Sequence, residues 1–228
     1  MIPYFAPPVW MLGPVTVRGF GVAATTALLT GYFLVLRRAE SAGVPSGRAG
    51  LIYGATVTSG LLASQIWNHG AGISSTALVI GALICFLFCA AFLPFWRTLD
   101  LFAYPIPITF AIARVGCFMV HDHVGIQTGS WLAVQFPDGP RYDLGLLYSL
   151  AAGVAAVIVF VVERFSPRAG VLAGTVALLM AAGRLVVLPL GQSDVGDYRF
   201  ANLIAIAAVA VIVFRTVRTS AENRLSVR

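Results

Sequence analysis

Seven runs of about twenty residues, nearly bare of charge, dominate this chain: roughly 19–36, 50–67, 76–95, 101–120, 144–162, 170–188 and 200–217. A helix rises about 1.5 Å per residue, so some twenty apolar residues match the ~30 Å hydrocarbon core of a bilayer. A soluble protein needs polar side chains to cover its surface. Here 59% of the 228 residues are hydrophobic and 11% are charged, against about 25% charged in a soluble domain. The expected fold is therefore all-α: a polytopic membrane helical bundle of seven transmembrane helices, forming a single domain over residues 1–228. Stretches such as "GVAATTALLTG", "AAGVAAV" and "VLAGTVALLMAAG" carry the small residues that let helices approach closely in lipid. The N-terminus has neither a basic n-region nor a clear cleavage site, so no removable signal peptide is expected.

The charges orient the bundle. All fifteen basic residues are arginine. Ten of them (Arg37, Arg38, Arg48, Arg97, Arg164, Arg168, Arg215, Arg218, Arg224 and Arg228) fall in the loops after spans 1, 3 and 5 or in the tail. Five (Arg18, Arg114, Arg141, Arg184 and Arg199) fall on the other side. Cytoplasmic loops carry the excess of Arg, which predicts a cytoplasmic C-terminus and an N-terminus outside. The net charge of +6 then fits anionic lipid headgroups rather than nucleic acid.

The five outer arginines sit at span edges or within spans. A mid-helix arginine costs roughly 2.5–3.5 kcal/mol on insertion scales, so it usually has a partner or a task. Together they are candidates to line an anion site facing the outer leaflet. On the same face, "RVGCFMVHDHVGIQTGSW" packs Arg114, His121, Asp122 and His123 against the end of an apolar run. The loop after it, about residues 121–142, reads as a small periplasmic cap. Leu132, Val134 and Phe136 alternate as in a short strand, and Pro137-Asp138-Gly139-Pro140 signals a turn. Two more outer loops add His69 and the pair Asp194 and Asp197. Cys85, Cys89 and Cys117 form no disulfide or zinc pattern. His121-x-His123 with His69 makes a conceivable metal set, but no further ligand spacing supports it, and neither metal nor cofactor is expected. Charges confined to one face argue against a transporter. The absence of lysine excludes a retinal Schiff base.

"R-V-G-C-F", followed by Asp122 and Gly125 and then by "FPDGPRYDLGLLY", resembles the bacterial prolipoprotein diacylglyceryl transferases. "VRGFG" (17–21), "GISSTALVIGALI" (72–84) and "GRLVVL" (183–188) resemble further blocks of that family in the same order. The resemblance implies seven spans in the cytoplasmic (inner) membrane of a bacterium, with the active site near the periplasmic leaflet. It implies transfer of a diacylglyceryl group from phosphatidylglycerol to the lipobox cysteine thiol of a prolipoprotein signal peptide, with release of glycerol phosphate. Such a reaction needs positive charge and fixed donors for the leaving phosphate, and a base for the thiol. By the resemblance, Arg114 and Arg184 are the phosphate-binding arginines, and Asp122 orients an arginine or takes the proton. Gly116 and Gly125 let backbone approach the headgroup. Arg18, His69, Ser74, Arg141 and Arg199 are the remaining candidates for substrate binding.

The chain departs from the family pattern at Phe20, where the family has Tyr. It departs also at Thr76, where the family has His, and at Leu188, where it has Glu. His121 or His123 is therefore the expected base, since imidazole titrates near pH 6.5. The alternative is a divergent member that acts on another lipid or acceptor, or an inactive one.

Overall fold

The structure, a computed structural model, describes residues 1–69, 74–165, 168–191, 202–203, 205–207 and 209–211. It is mostly helical. Helix α1 spans Gly19–Ala39, α2 Ser46–Trp67, α3 Ser75–Ala90, α4 Phe95–Ala103, α5 Ile106–Val120, α6 Leu144–Arg164 and α7 Val171–Val187. Six of the expected runs thus become helices. The seventh, 200–217, and the loop carrying Asp194, Asp197 and Arg199 lie largely outside the described residues. Among the described residues, four segments are long and apolar enough to cross a membrane: Gly19–Ala42, Phe95–Val120, Leu144–Arg164 and Val171–Leu190. The fourth run contains a break. Helix α4 ends at Ala103 and α5 starts at Ile106, because Pro105 and Pro107 belong at a helix N-terminus rather than in its interior.

The fold is not purely helical. A four-stranded sheet has the order β1 (Ile2–Pro3), β5 (Val134–Phe136), β6 (Gly139–Asp143), β4 (Val124–Gln127), and β2 (Val9–Leu12) pairs with β3 (Val15–Arg18) as a hairpin. Strand β5 is the one that the alternation of apolar residues predicts. Its partner β6 follows a two-residue turn, Pro137-Asp138, with Phe136 opposite Gly139. Gly139 closes the turn at φ 120°, a conformation open to glycine. Two residues at the N-terminus add a parallel strand to β5. Apolar alternation cannot reveal a strand that short. The β2–β3 hairpin exposes Trp10, Met11, Leu12 and Val15, and its last residue, Arg18, leads straight into α1.

The chain divides into two compact units, residues 32–103 and residues 1–31 with 104–228. In the first, Val35, Ala39, Val44, Ala49 and Leu101 form one buried cluster, and Ile52, Phe86 and Ala90 another. Helices α2 and α3 touch backbone to backbone. A Cβ on Gly60 would come 2.8 Å from the Leu78 carbonyl, and one on Gly81 would come 2.9 Å from the Ser59 carbonyl. Gly54, also on α2, has open space instead. Gly81→Ala is therefore expected to cost about 1–3 kcal/mol through overpacking. Gly54→Ala should be neutral or stabilising by up to about 1 kcal/mol through helix propensity. Thermal unfolding of the two variants in detergent reads the difference, and equal midpoints would contradict this packing.

Candidate functional site

The second unit brings the C-terminus of α5 against the N-terminus of α6. Helix α5 stops at His121, which takes the left-handed conformation at φ 50° and ψ 39°. Histidine tolerates that region better than most residues, and such positions merit functional scrutiny. The chain leaves through β4, returns through β6 and enters α6 at Asp143. An Asp directly before an apolar run is an N-cap signal, and Asp143 Oδ1 accepts the Leu146 amide N–H at 3.2 Å. Gly145 permits the approach of the two helices. A Cβ there would lie 2.6 Å from the Phe118 nitrogen and 2.9 Å from the Cys117 carbonyl carbon.

The two helix ends share a buried pair. His121 Nδ1 lies 2.7 Å from Asp143 Oδ2, with His121 8% and Asp143 1% exposed. Burial pushes the Asp143 carboxyl up from the ordinary carboxylate range, while the His121 ring and the amides of Leu146 and Gly145 hold it down. Four aromatic rings surround the imidazole, at centroid distances of 4.6 Å for Phe5, 5.0 Å for Tyr4, 5.3 Å for Phe136 and 5.5 Å for Phe118. Its second nitrogen, Nε2, is buried and has no hydrogen-bond partner among the described residues.

One face of α5 carries a cation. The Arg114 guanidinium lies 4.8 Å from the Phe110 ring and 5.1 Å from the Tyr148 ring, and it donates weakly to Cys117 Sγ at 4.0 Å. No carboxylate pairs with it among the described residues. Phe110 and Tyr148 also wall a narrow, mainly apolar cleft with Ala151, Leu179, Met180 and Arg184. Arg184 thus lines the cleft, and Arg114 stacks on two of its walls. Ser149 fastens this region by donating to the Ala111 carbonyl at 2.9 Å.

The other expected site residues are distributed differently. Asp122 and His123 pair with each other at 2.8 Å, both about half exposed. Arg141 is engaged inside the cap, with Nε 2.9 Å and Nη2 2.7 Å from Asp138 Oδ2 and Nη1 3.4 Å from the Gly125 carbonyl. Gly116 and Gly125 have packing reasons of their own. A Cβ at Gly116 would meet the Ala23 Cβ at 2.9 Å, and one at Gly125 would meet the Leu190 carbonyl. Arg18 stands exposed at the base of the hairpin, opposite Val9. His69 and Ser74 belong to the other unit. His69 follows α2 at φ 48°, and Ser74 caps α3 while its amide donates to Ser64 Oγ at 2.7 Å. Arg199 lies outside the described residues. Asp143, Tyr4, Phe5, Phe110 and Tyr148 were not expected at the site. Only the N-cap position of Asp143 had a local signal.

The sequence profile described as prolipoprotein diacylglyceryl transferase matches residues 7–218. A curated relative, the phosphatidylglycerol--prolipoprotein diacylglyceryl transferase of Sinorhizobium medicae (strain WSM419), is 28% identical over 170 residues, covering 60% of this chain. The match spans 59% of that relative's length. With the family profile running over nearly the whole sequence, this multi-pass membrane chain belongs to the prolipoprotein diacylglyceryl transferase family.

Proposed function

We propose that this chain transfers a diacylglyceryl group from phosphatidylglycerol to the lipobox cysteine of a prolipoprotein signal peptide. The observation that carries the reading is the position of Arg114 in a chain of this family. Its guanidinium has no carboxylate partner among the described residues, and it stacks on the two rings that wall the cleft of Arg184. A cation so placed calls for an anion, and a planar guanidinium suits a phosphodiester.

The reaction asks two things of the protein, a base and a seat for the leaving phosphate. The thiol proton moves to a histidine nitrogen of the His121–His123 turn, because the thiolate is the nucleophile. The sulfur attacks the carbon of the diacylated glycerol that bears the phosphate ester, a C–S bond forms and the C–O bond from that carbon to the phosphate breaks. The electron pair of that bond leaves on glycerol phosphate, and the two arginines stabilise its growing charge. Asp122 would tune the turn through His123. In this reading the protein is one domain of seven spans in a bacterial cytoplasmic membrane, with the N-terminus outside and the C-terminus inside. Helices α2 and α3 and the 200–217 run then complete the span count, and the small sheet forms the periplasmic cap. The ten-to-five distribution of arginines supports that orientation.

Complementation tests the reading. A bacterium depleted of its own transferase is expected to regain growth and lipoprotein modification when it expresses this chain. No modification, with the chain present in the membrane fraction, would contradict the reading. It would favour a different lipid or acceptor, which the departures at Phe20, Thr76 and Leu188 already suggest.

A further inference from the structure

We propose that Asp143 is the positioning residue for proton removal from the thiol: it holds the Nδ1–H of His121 and thereby leaves Nε2 as the proton acceptor. The inference rests on the functional reading above and selects between the two histidines offered there. His123 is half exposed and faces another half-exposed side chain. His121 is enclosed, and its geometry is fixed from both sides. One carboxylate oxygen of Asp143 is taken by the helix cap, and the other faces the ring at 2.7 Å. With Asp143 ionised, its carboxylate only accepts hydrogen bonds, and a neutral ring then carries its proton on Nδ1. The lone pair then sits on Nε2, the buried nitrogen with no partner among the described residues.

The balance of the step is simple. Nε2 takes the thiol proton and the ring becomes imidazolium, next to the Asp143 carboxylate that stabilises it. The sulfur keeps its electron pair for attack on the glycerol carbon. Among the described residues, the groups facing His121 are the Asp143 carboxyl and the Tyr4 phenol, together with the untitratable rings of Phe5, Phe118 and Phe136. Tyr4 and Phe5 belong to an N-terminal strap held to the cap by the short β1–β5 pairing and by the Ile2 amide donating to the Ala133 carbonyl at 2.8 Å. The strap thus sets two of the four rings that enclose the imidazole.

Asp143→Asn separates positioning from structure. Asn caps a helix as well as Asp does, so the α6 cap remains. Its NH2 group, however, donates to Nδ1 and moves the ring proton to Nε2, which can no longer accept. The corresponding swap in a Ser-His-Asp triad keeps the geometry and lowers turnover about 10⁴-fold. We expect the variant, assayed on phosphatidylglycerol vesicles with a lipobox peptide, to lose about 10³–10⁴-fold in turnover. Its unfolding midpoint should stay within about 4 °C of wild type. The ¹⁵N spectrum of the wild-type chain should show His121 as the Nδ1–H tautomer, and that of the variant the Nε2–H tautomer. An active wild type with an Asp143→Asn variant within about threefold of it would overturn the inference alone. So would an Nε2–H tautomer in the wild type, which stands as a test even where the variant does not fold. A wild type inactive with this lipid and peptide would overturn the functional reading, and the inference with it.

Discussion

Replacing Arg114 with alanine lowers turnover about 10²–10³-fold, the usual cost of removing one donor from a developing anion. The guanidinium rests against the Phe110 and Tyr148 rings at 4.8 and 5.1 Å, so under the proposed function it does not have to be ordered when a phosphate arrives. Preorganisation of this kind places the effect in the transition state, and turnover should fall more than apparent lipid affinity. Arg114→Lys keeps the charge but loses the planar fork and the stacking, so it should recover only part of the loss. Turnover measured on vesicles over a range of phosphatidylglycerol concentrations separates these effects. An alanine variant with wild-type turnover and only a weaker apparent affinity would mean that Arg114 recruits lipid without assisting the bond change.

The second large effect concerns stability. His121→Ala removes the ring donor from a carboxylate that is 1% exposed and opens a hole among four aromatic rings. Breaking a buried pair by deleting one partner costs about 3–5 kcal/mol. For a chain of this size that corresponds to a midpoint lowered by roughly 6–20 °C. His123→Ala breaks a pair whose members are both about half exposed, and such pairs contribute about 1 kcal/mol or less. Thermal unfolding of the two variants in the same detergent should therefore differ widely. Equal losses would mean that the helix ends of α5 and α6 do not depend on the buried pair.

The two neighbouring histidines show where the sequence was legible and where it was not. Apolar length alone exposed α1, α2, α3, α5, α6 and α7, because lipid demands long continuous runs. The cap was partly legible. Alternation gave Val134–Phe136, and Pro137-Asp138-Gly139 gave the turn. The parallel strand at Ile2–Pro3 was hidden, since pairing across more than a hundred residues leaves no local period. At the site, Arg114 and Arg184 could be named from their cost in lipid and from the family motif. The surroundings of His121 could not. Its partner Asp143 lies 22 positions away, and two of its four rings come from the N-terminal strap. Only the fold distinguishes His121, sealed against a carboxylate, from His123, which faces outward. The glycines taught a similar lesson. Gly116 and Gly125 were read from the motif as clearance for a headgroup, and the fold adds a packing reason for each: Ala23 lies against the first and the Leu190 carbonyl against the second.

The most direct test of the proposed activity is the mass of a lipobox peptide after incubation with the purified chain in phosphatidylglycerol vesicles. The account predicts a gain of one diacylglyceryl group on the cysteine sulfur, a thioether stable to hydroxylamine, with one glycerol phosphate released per peptide modified. A peptide of unchanged mass, in the presence of folded protein and a working control transferase, would contradict it.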